Sequence, residues 1–100
     1  MQDIQSYEFF KKLQALPFVE EVLLYGSRAR GTNRPRSDID LAVACPTATD
    51  SDWLRVLEII DNADTLLKID CVRFDQLSDA NLLKQEIMKD AIALYQRESK

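Results

Sequence analysis

The segments Gly26-Ser27-Arg28-Ala29-Arg30-Gly31 and Ser37-Asp38-Ile39-Asp40-Leu41 stand one short loop apart and carry complementary chemistry. Glycine lets an anion approach the backbone closely. Where a strand turns into a helix, free N–H groups and the positive end of the helix dipole favour phosphate. Serine adds a hydroxyl donor. Asp38 and Asp40 are spaced i, i+2, so on a strand their carboxylates leave the same face. Two carboxylates that close repel unless a cation lies between them, and an all-oxygen site of this kind suits magnesium. A third acid, Asp70, stands alone in the apolar run 66–74, on the face of Lys68 and Val72 and opposite Ile69 and Cys71. A phosphate grip beside a metal grip points to phosphoryl-group chemistry.

Each feature also has a plainer reading. A glycine–serine pair is a turn with a helix cap, an i, i+2 acid pair is the solvated face of a half-exposed strand, and Asp70 is a partner for Lys68 or Arg73. Arg28, Arg30, Arg34 and Arg36 crowd a stretch without acids. Arg34 and Arg36 read as ordinary loop arginines, whereas Arg28 and Arg30 flank the turn and suit triphosphate or partner contacts. It is the conjunction that carries the argument.

Composition narrows the chemistry further. The chain has no histidine, which removes Ser-His-Asp and Cys-His catalysis, histidine-ligated zinc and a histidine base. Catalysis must rest on carboxylates, metal and arginines. The net charge of −4 argues against general nucleic-acid affinity, and a local basic patch on an acidic chain suits a phosphate-bearing small ligand. Cys45 and Cys71 form neither a disulfide framework nor a zinc cluster, and Cys71 reads as a reduced, buried thiol. No apolar run approaches the ~20 residues that span a bilayer, and no signal-peptide layout opens the chain, so a cytoplasmic protein without membrane contact is expected. One hundred residues amount to a single domain, 1–100.

The elements that must position these groups follow from periodicity. Tyr7, Phe10, Leu13 and Leu16, with Phe9, give a helix over 5–16 that Pro17 ends. Residues 19–25 read as a central strand, Ala29–Gly31 as a short helix and 32–36 as a loop. In 38–44, Ile39, Leu41 and Val43 point one way, Asp38 and Asp40 the other. After a turn over 46–50, with Asp50 or Ser51 as cap, Trp53, Val56, Leu57 and Ile60 form one face of a helix. A third strand over 66–74, a turn over 75–79 and a long terminal helix from Asn81 to about Gln96 complete the pattern. That helix carries an unusually wide apolar surface (Leu82, Leu83, Ile87, Met88, Ile92, Leu94, Tyr95), for core or for partner. The order implies an α/β (α+β) domain, a small mixed sheet of three or four strands with helices packed on it.

Gly26-Ser27 followed by Asp38-Ile39-Asp40-Leu41 resembles the signature of the nucleotidyltransferase superfamily that includes DNA polymerase beta. More narrowly it is similar to the minimal nucleotidyltransferases, antitoxin-type partners of HEPN-domain proteins. The resemblance runs through Asp70 as third acid to 87–95, where a helix of Ile-x-x-Glu-Gly-x-x-Leu-Tyr type is usual; Asp90 and Ala91 depart from it. It implies that Gly26 and Ser27 hold the β- and γ-phosphates of ATP, with Arg28, Arg30 and Ser37 in the nucleotide-binding set. Asp38 and Asp40 would ligate two magnesium ions, and Asp70 would complete the second site and help deprotonate the incoming hydroxyl. The implied activity is AMP transfer to a protein hydroxyl, a tyrosine of a HEPN ribonuclease toxin, by the antitoxin of the pair. Larger relatives carry a helical acceptor-binding domain; here a separate helical polypeptide takes that place. Two alternatives are a binding antitoxin that masks its partner without catalysis and a nucleotidyltransferase acting on a small molecule.

Overall fold

The computed structural model describes residues 4–98. A 3-10 turn (Ile4–Ser6) leads into α1 (Glu8–Ala15), followed by β1 (Glu21–Tyr25), α2 (Ser27–Arg30), β2 (Ile39–Ala44), α3 (Asp50–Asp61) and β3 (Ile69–Arg73). A second 3-10 turn (Phe74–Gln76), α4 (Leu82–Asp90) and β4 (Ile92–Gln96) complete the element order. The four strands form one sheet in the order β3-β2-β1-β4. β1 runs antiparallel to β2 and β4, while β2 and β3, joined through α3, are parallel. This is the small mixed sheet expected, with its fourth strand present.

Alternation along the strands divides the core in two. Val22, Leu24, Ile39, Leu41 and Val43 are buried on one face with Phe9, Phe10 and Leu13 of α1 and Val56 of α3. Tyr7, Trp53, Ile59 and Ile60 pack against this cluster. The opposite face is smaller: Leu23, Ala42 and Ile87 are buried, edged by Tyr25, Val72, Phe74 and Leu83. β1 and β2 are therefore interior strands, as their apolar runs require.

Caps depart from the sequence reading. The α3 cap is Thr49, one residue before the candidates Asp50 and Ser51. Its hydroxyl accepts from the Asp52 amide at 3.1 Å and its own amide donates to the Asp52 carboxylate at 3.0 Å, a reciprocal capping box. α1 has no cap of its own. Asp64, in the loop after α3, accepts from the Glu8 and Phe9 amides at 3.0 and 3.1 Å and caps it from a distance.

The terminal helix over 81–96 is the main correction. Asn81 caps α4 as its sequence suggests, accepting from the Leu83 and Lys84 amides. The helix stops at Asp90, where Ala91 turns extended at φ −63° and ψ 142°, and Ile92–Gln96 joins the sheet beside β1. Pairing jumps from Tyr95 opposite Val22 to Ala93 opposite Leu23, so Leu94 is the extra residue of a β-bulge. Leu94 and Tyr95 consequently both lean on the larger core. The bulge erases the period-two pattern that would have announced a strand. The wide apolar surface is thus a helix face followed by a strand.

Among the described residues no helix is long and apolar enough to cross a membrane. Cys45 and Cys71 are free thiols. Burial, then the Asp75 charge, pushes the Cys45 thiol up to about 11, and burial pushes Cys71 to about 12. Cys71 is partly rather than fully covered.

Candidate active site

Strand register builds the site. Tyr25, the last residue of β1, pairs with Asp40 of β2, and Asp40 pairs with Asp70 of β3. Residues opposite one another across a ladder share a face, so Tyr25, Asp40 and Asp70 form a row of neighbours at one end of the sheet. They lie on the face of the smaller core; the larger core occupies the other side. Asp38 lies just outside β2 and is exposed, whereas Asp40 is half-buried.

The row is electrostatically loaded. Burial holds the Asp40 carboxyl above its ordinary value, and Asp70 and Asp38 push it in the same direction, while Arg30 and Arg28 oppose them. Burial, followed by Asp40 and Asp70, pushes the Tyr25 phenol up to about 12. Lys68 answers Asp70 with an ion pair at 3.7 Å, both side chains well exposed, which is a weak contact. Arg73, the other partner considered for Asp70, instead binds Asp75 at 3.1 Å and donates to the Cys45 and Ala48 carbonyls.

Gly26 closes the row from the β1 side. Its φ is 75° with ψ −154°, a backbone conformation that costs an L side chain. A Cβ built there would collide with Asp40 Oδ2 and lie 3.2 Å from its Cγ. Glycine is required both by the turn and by the carboxylate resting against it. From that turn α2 makes a single helical turn and ends at Gly31, φ 75°. Thr32 folds back, its amide donating to the Ser27 carbonyl at 3.0 Å.

The arginines and Ser37 divide by role. Arg30 reaches Asp90 at the end of α4, Nη1 to Oδ2 3.6 Å, and its field bears on Asp40. Asp90, where a glutamate is usual, thus ties α4 to the site. Arg28 turns toward the loop instead: Nη2 donates to the Ser37 carbonyl at 2.8 Å and to the Pro35 carbonyl at 3.3 Å. The Ser37 hydroxyl accepts from the Arg34 amide at 2.9 Å and closes the 34–37 turn. Arg34 and Arg36 are exposed loop residues.

Among the described residues no group of three or more His, Cys, Asp or Glu side chains is gathered tightly enough to enclose a metal ion. The donor chemistry nevertheless fits a hard divalent cation. Asp38, Asp40 and Asp70 offer only carboxylate oxygens, and their mutual repulsion at Asp40 is what a cation would relieve. Sequence reasoning missed Tyr25 as a member of the row; only the register between β1 and β2 identifies it. A shallow hollow of about 410 Å³ lies elsewhere, along α4, lined by Leu82, Leu83, Gln85, Glu86 and Lys89.

A mixed four-stranded sheet with these helices, carrying carboxylates on the adjacent strands β2 and β3 beside a glycine–serine turn, is the fold of a polymerase beta-like nucleotidyltransferase. The family model described as polymerase beta, nucleotidyltransferase matches residues 8–100, and the chain belongs to that family. No match appears among curated protein sequences. Among solved structures, the chain is similar to one from a toxin–antitoxin determined with AMP-PNP, at 24% identity and TM-score 0.61 over 90% of this chain and 73% of that one. A chain of the toxin–antitoxin MntA-HpeT is similar at 25% identity and TM-score 0.61, over 88% and 70%. A chain from a complex of a tri-AMPylated HEPN toxin of Shewanella oneidensis with its MNT antitoxin shares the fold at 19% identity and TM-score 0.53, over 89% and 65%.

Proposed function

We propose that residues 1–100 are a single nucleotidyltransferase domain that transfers AMP from ATP to a protein hydroxyl, a tyrosine of a HEPN ribonuclease toxin, and so act as the antitoxin of the pair. The observation that carries this reading is the in-register pair of Asp40 and Asp70 with Gly26 packed against Asp40. Family membership and likeness to chains from toxin–antitoxin structures support the choice of partner.

In this reading Asp38, Asp40 and Asp70 would hold magnesium, which supplies charge neutralisation on the entering and leaving oxygens of an in-line displacement. The Gly26–Ser27 turn would receive the β- and γ-phosphates, with Arg30 adding positive charge beside them. Asp70, at the outer end of the row, would take the proton of the acceptor hydroxyl as its oxygen attacks the α-phosphorus and pyrophosphate departs. The chain's contribution is position and field rather than covalent chemistry.

A second reading, a binding antitoxin without catalysis, draws on the α4 surface, where Leu82 is 77% and Met88 69% exposed. Label transfer separates the two. Incubation of the chain with its partner, magnesium and ATP labelled at the α- or γ-phosphate should label the partner from the α position only. Asp40→Ala should abolish the label and leave the complex intact. A complex without label, or label that survives Asp40→Ala, would favour the binding module or place catalysis elsewhere.

A further inference from the structure

The loop between α2 and β2 delivers Asp38 to the site, and little of the core touches it: residues 34–36 are exposed. Its order comes from hydrogen bonds made locally. Thr32 is tied to Ser27 at the start of the loop, 3.0 Å. Inside it, the Ser37 amide donates to the Arg34 carbonyl at 3.0 Å and the Arg34 amide to the Ser37 hydroxyl at 2.9 Å. The end of the loop is fixed by Arg28, whose Nη2 reaches the Ser37 carbonyl at 2.8 Å, the peptide group that joins Ser37 to Asp38. The same nitrogen takes the Pro35 carbonyl at 3.3 Å.

We infer that Arg28 is a positioning residue for Asp38: its guanidinium clamps the 35–37 backbone to α2 and so sets where the Asp38 carboxylate stands relative to Asp40. One further observation supports this over a direct phosphate contact. Arg28 Nε is buried without an acceptor, so the group is drawn into the protein at a cost that an arginine serving solvent-borne phosphate need not bear. Arginine suits the task because the N–H groups of Nη2, which takes both carbonyls, are held in the fixed plane of the guanidinium, whereas a lysine ammonium rotates freely on a flexible stem. Arg30, two residues on, points instead to Asp90 and leaves the loop alone.

The inference rests on the nucleotidyltransferase reading, and its test reads the clamp and the site separately. Trypsin cleaves after Arg36 but not between Arg34 and Pro35, so cleavage at the Arg36–Ser37 bond reports the loop. In Arg28→Met that bond should be cut roughly tenfold faster than in wild type, since local opening governs access. Binding of Mn²⁺ with AMP-PNP, followed by the paramagnetic resonance of free Mn²⁺, should weaken about ten- to a hundredfold, the usual effect of losing a group that orients a metal ligand. Transfer should lose kcat with KM for the nucleotide little changed. Arg28→Lys should recover part of each loss, and it decides the matter if Arg28→Met does not fold. Unchanged cleavage in a folded variant overturns the clamp. Faster cleavage with unchanged Mn²⁺ affinity overturns the positioning role. Wild-type protein that binds no Mn²⁺ would instead sink the nucleotidyltransferase reading and the positioning role with it.

Discussion

At Gly26 the backbone turns through a φ of 75° while the Asp40 carboxylate occupies the space of a side chain; at Gly31 the φ is the same but nothing stands within 4 Å of a built Cβ. Their ψ angles differ, −154° at Gly26 against 16° at Gly31. An alanine costs about 1–2 kcal/mol of backbone strain at Gly31, in the left-handed helical region, and about 1–3 kcal/mol at Gly26, in a region only glycine adopts freely. Only at Gly26 must it also displace Asp40. We expect Gly31→Ala to lower the melting temperature with modest loss of transfer, and Gly26→Ala to lower it further and reduce transfer by about a hundredfold, as misplacement of a reacting group by an ångström does. Equal effects of the two would show that the contact with Asp40 does not matter. At this scale the sequence was partly informative: i, i+2 spacing put Asp38 and Asp40 on one strand face and alternation set Asp70 opposite Ile69 and Cys71, but that Asp70 stands beside Asp40 follows only from the β2–β3 register. Tyr25 and the clamp of Arg28 stayed hidden, because cross-strand register and the path of an exposed loop leave no periodic trace.

α3 and α4 are capped locally, but α1 and the ends of β2 and β3 are held by side chains from elsewhere in the chain. Asp64 caps α1 through the Glu8 and Phe9 amides, and those bonds, Glu8 first, hold its carboxyl below the ordinary value. A carboxylate depressed in the folded state stabilises it above the unfolded value of about 4, and that contribution fades as pH falls through the lower folded value. We expect Asp64→Ala to melt earlier than wild type near neutral pH, and the gap between them to shrink on acidification below that range. A gap independent of pH would rule out the charged cap. Arg73 and Asp75 join the ends of β2 and β3: Asp75 accepts from the Cys45 amide at 2.8 Å while Arg73 holds the Cys45 and Ala48 carbonyls. Both side chains are nearly buried, so Asp75→Ala should cost about 3 kcal/mol in urea unfolding, and Arg73→Met/Asp75→Leu less than the single change. A double variant worse than the single would contradict that account. Helix 1 and helix 3 were legible from a steady helical period, β2 and β3 from alternation, and β1 from the continuous apolar run of an interior strand. The strand after Asp90 was not, since the bulge at Leu94 breaks alternation and no glycine or proline marks the end of α4.

For the whole molecule, the division of the sheet into two faces organises function. α1 and α3 cover the larger core and give the strands a rigid backing. Among the described residues the opposite face carries α4 and the 74–77 turn, and Asp70 at one end of the sheet keeps a side chain 44% exposed. α4 also carries exposed apolar residues, Leu82 and Met88. We propose that metal and nucleotide sit at the row of Asp40 and Asp70, with Asp38 and the Gly26–Ser27 turn. The most direct measurement is paramagnetic broadening of backbone amide signals by Mn²⁺ in the presence of AMP-PNP, in wild type and Asp40→Ala. We expect broadening centred on Gly26, Asp38, Asp40 and Asp70, absent from Asp40→Ala. Broadening centred on the acids of α3, or the same pattern in both proteins, would contradict the account.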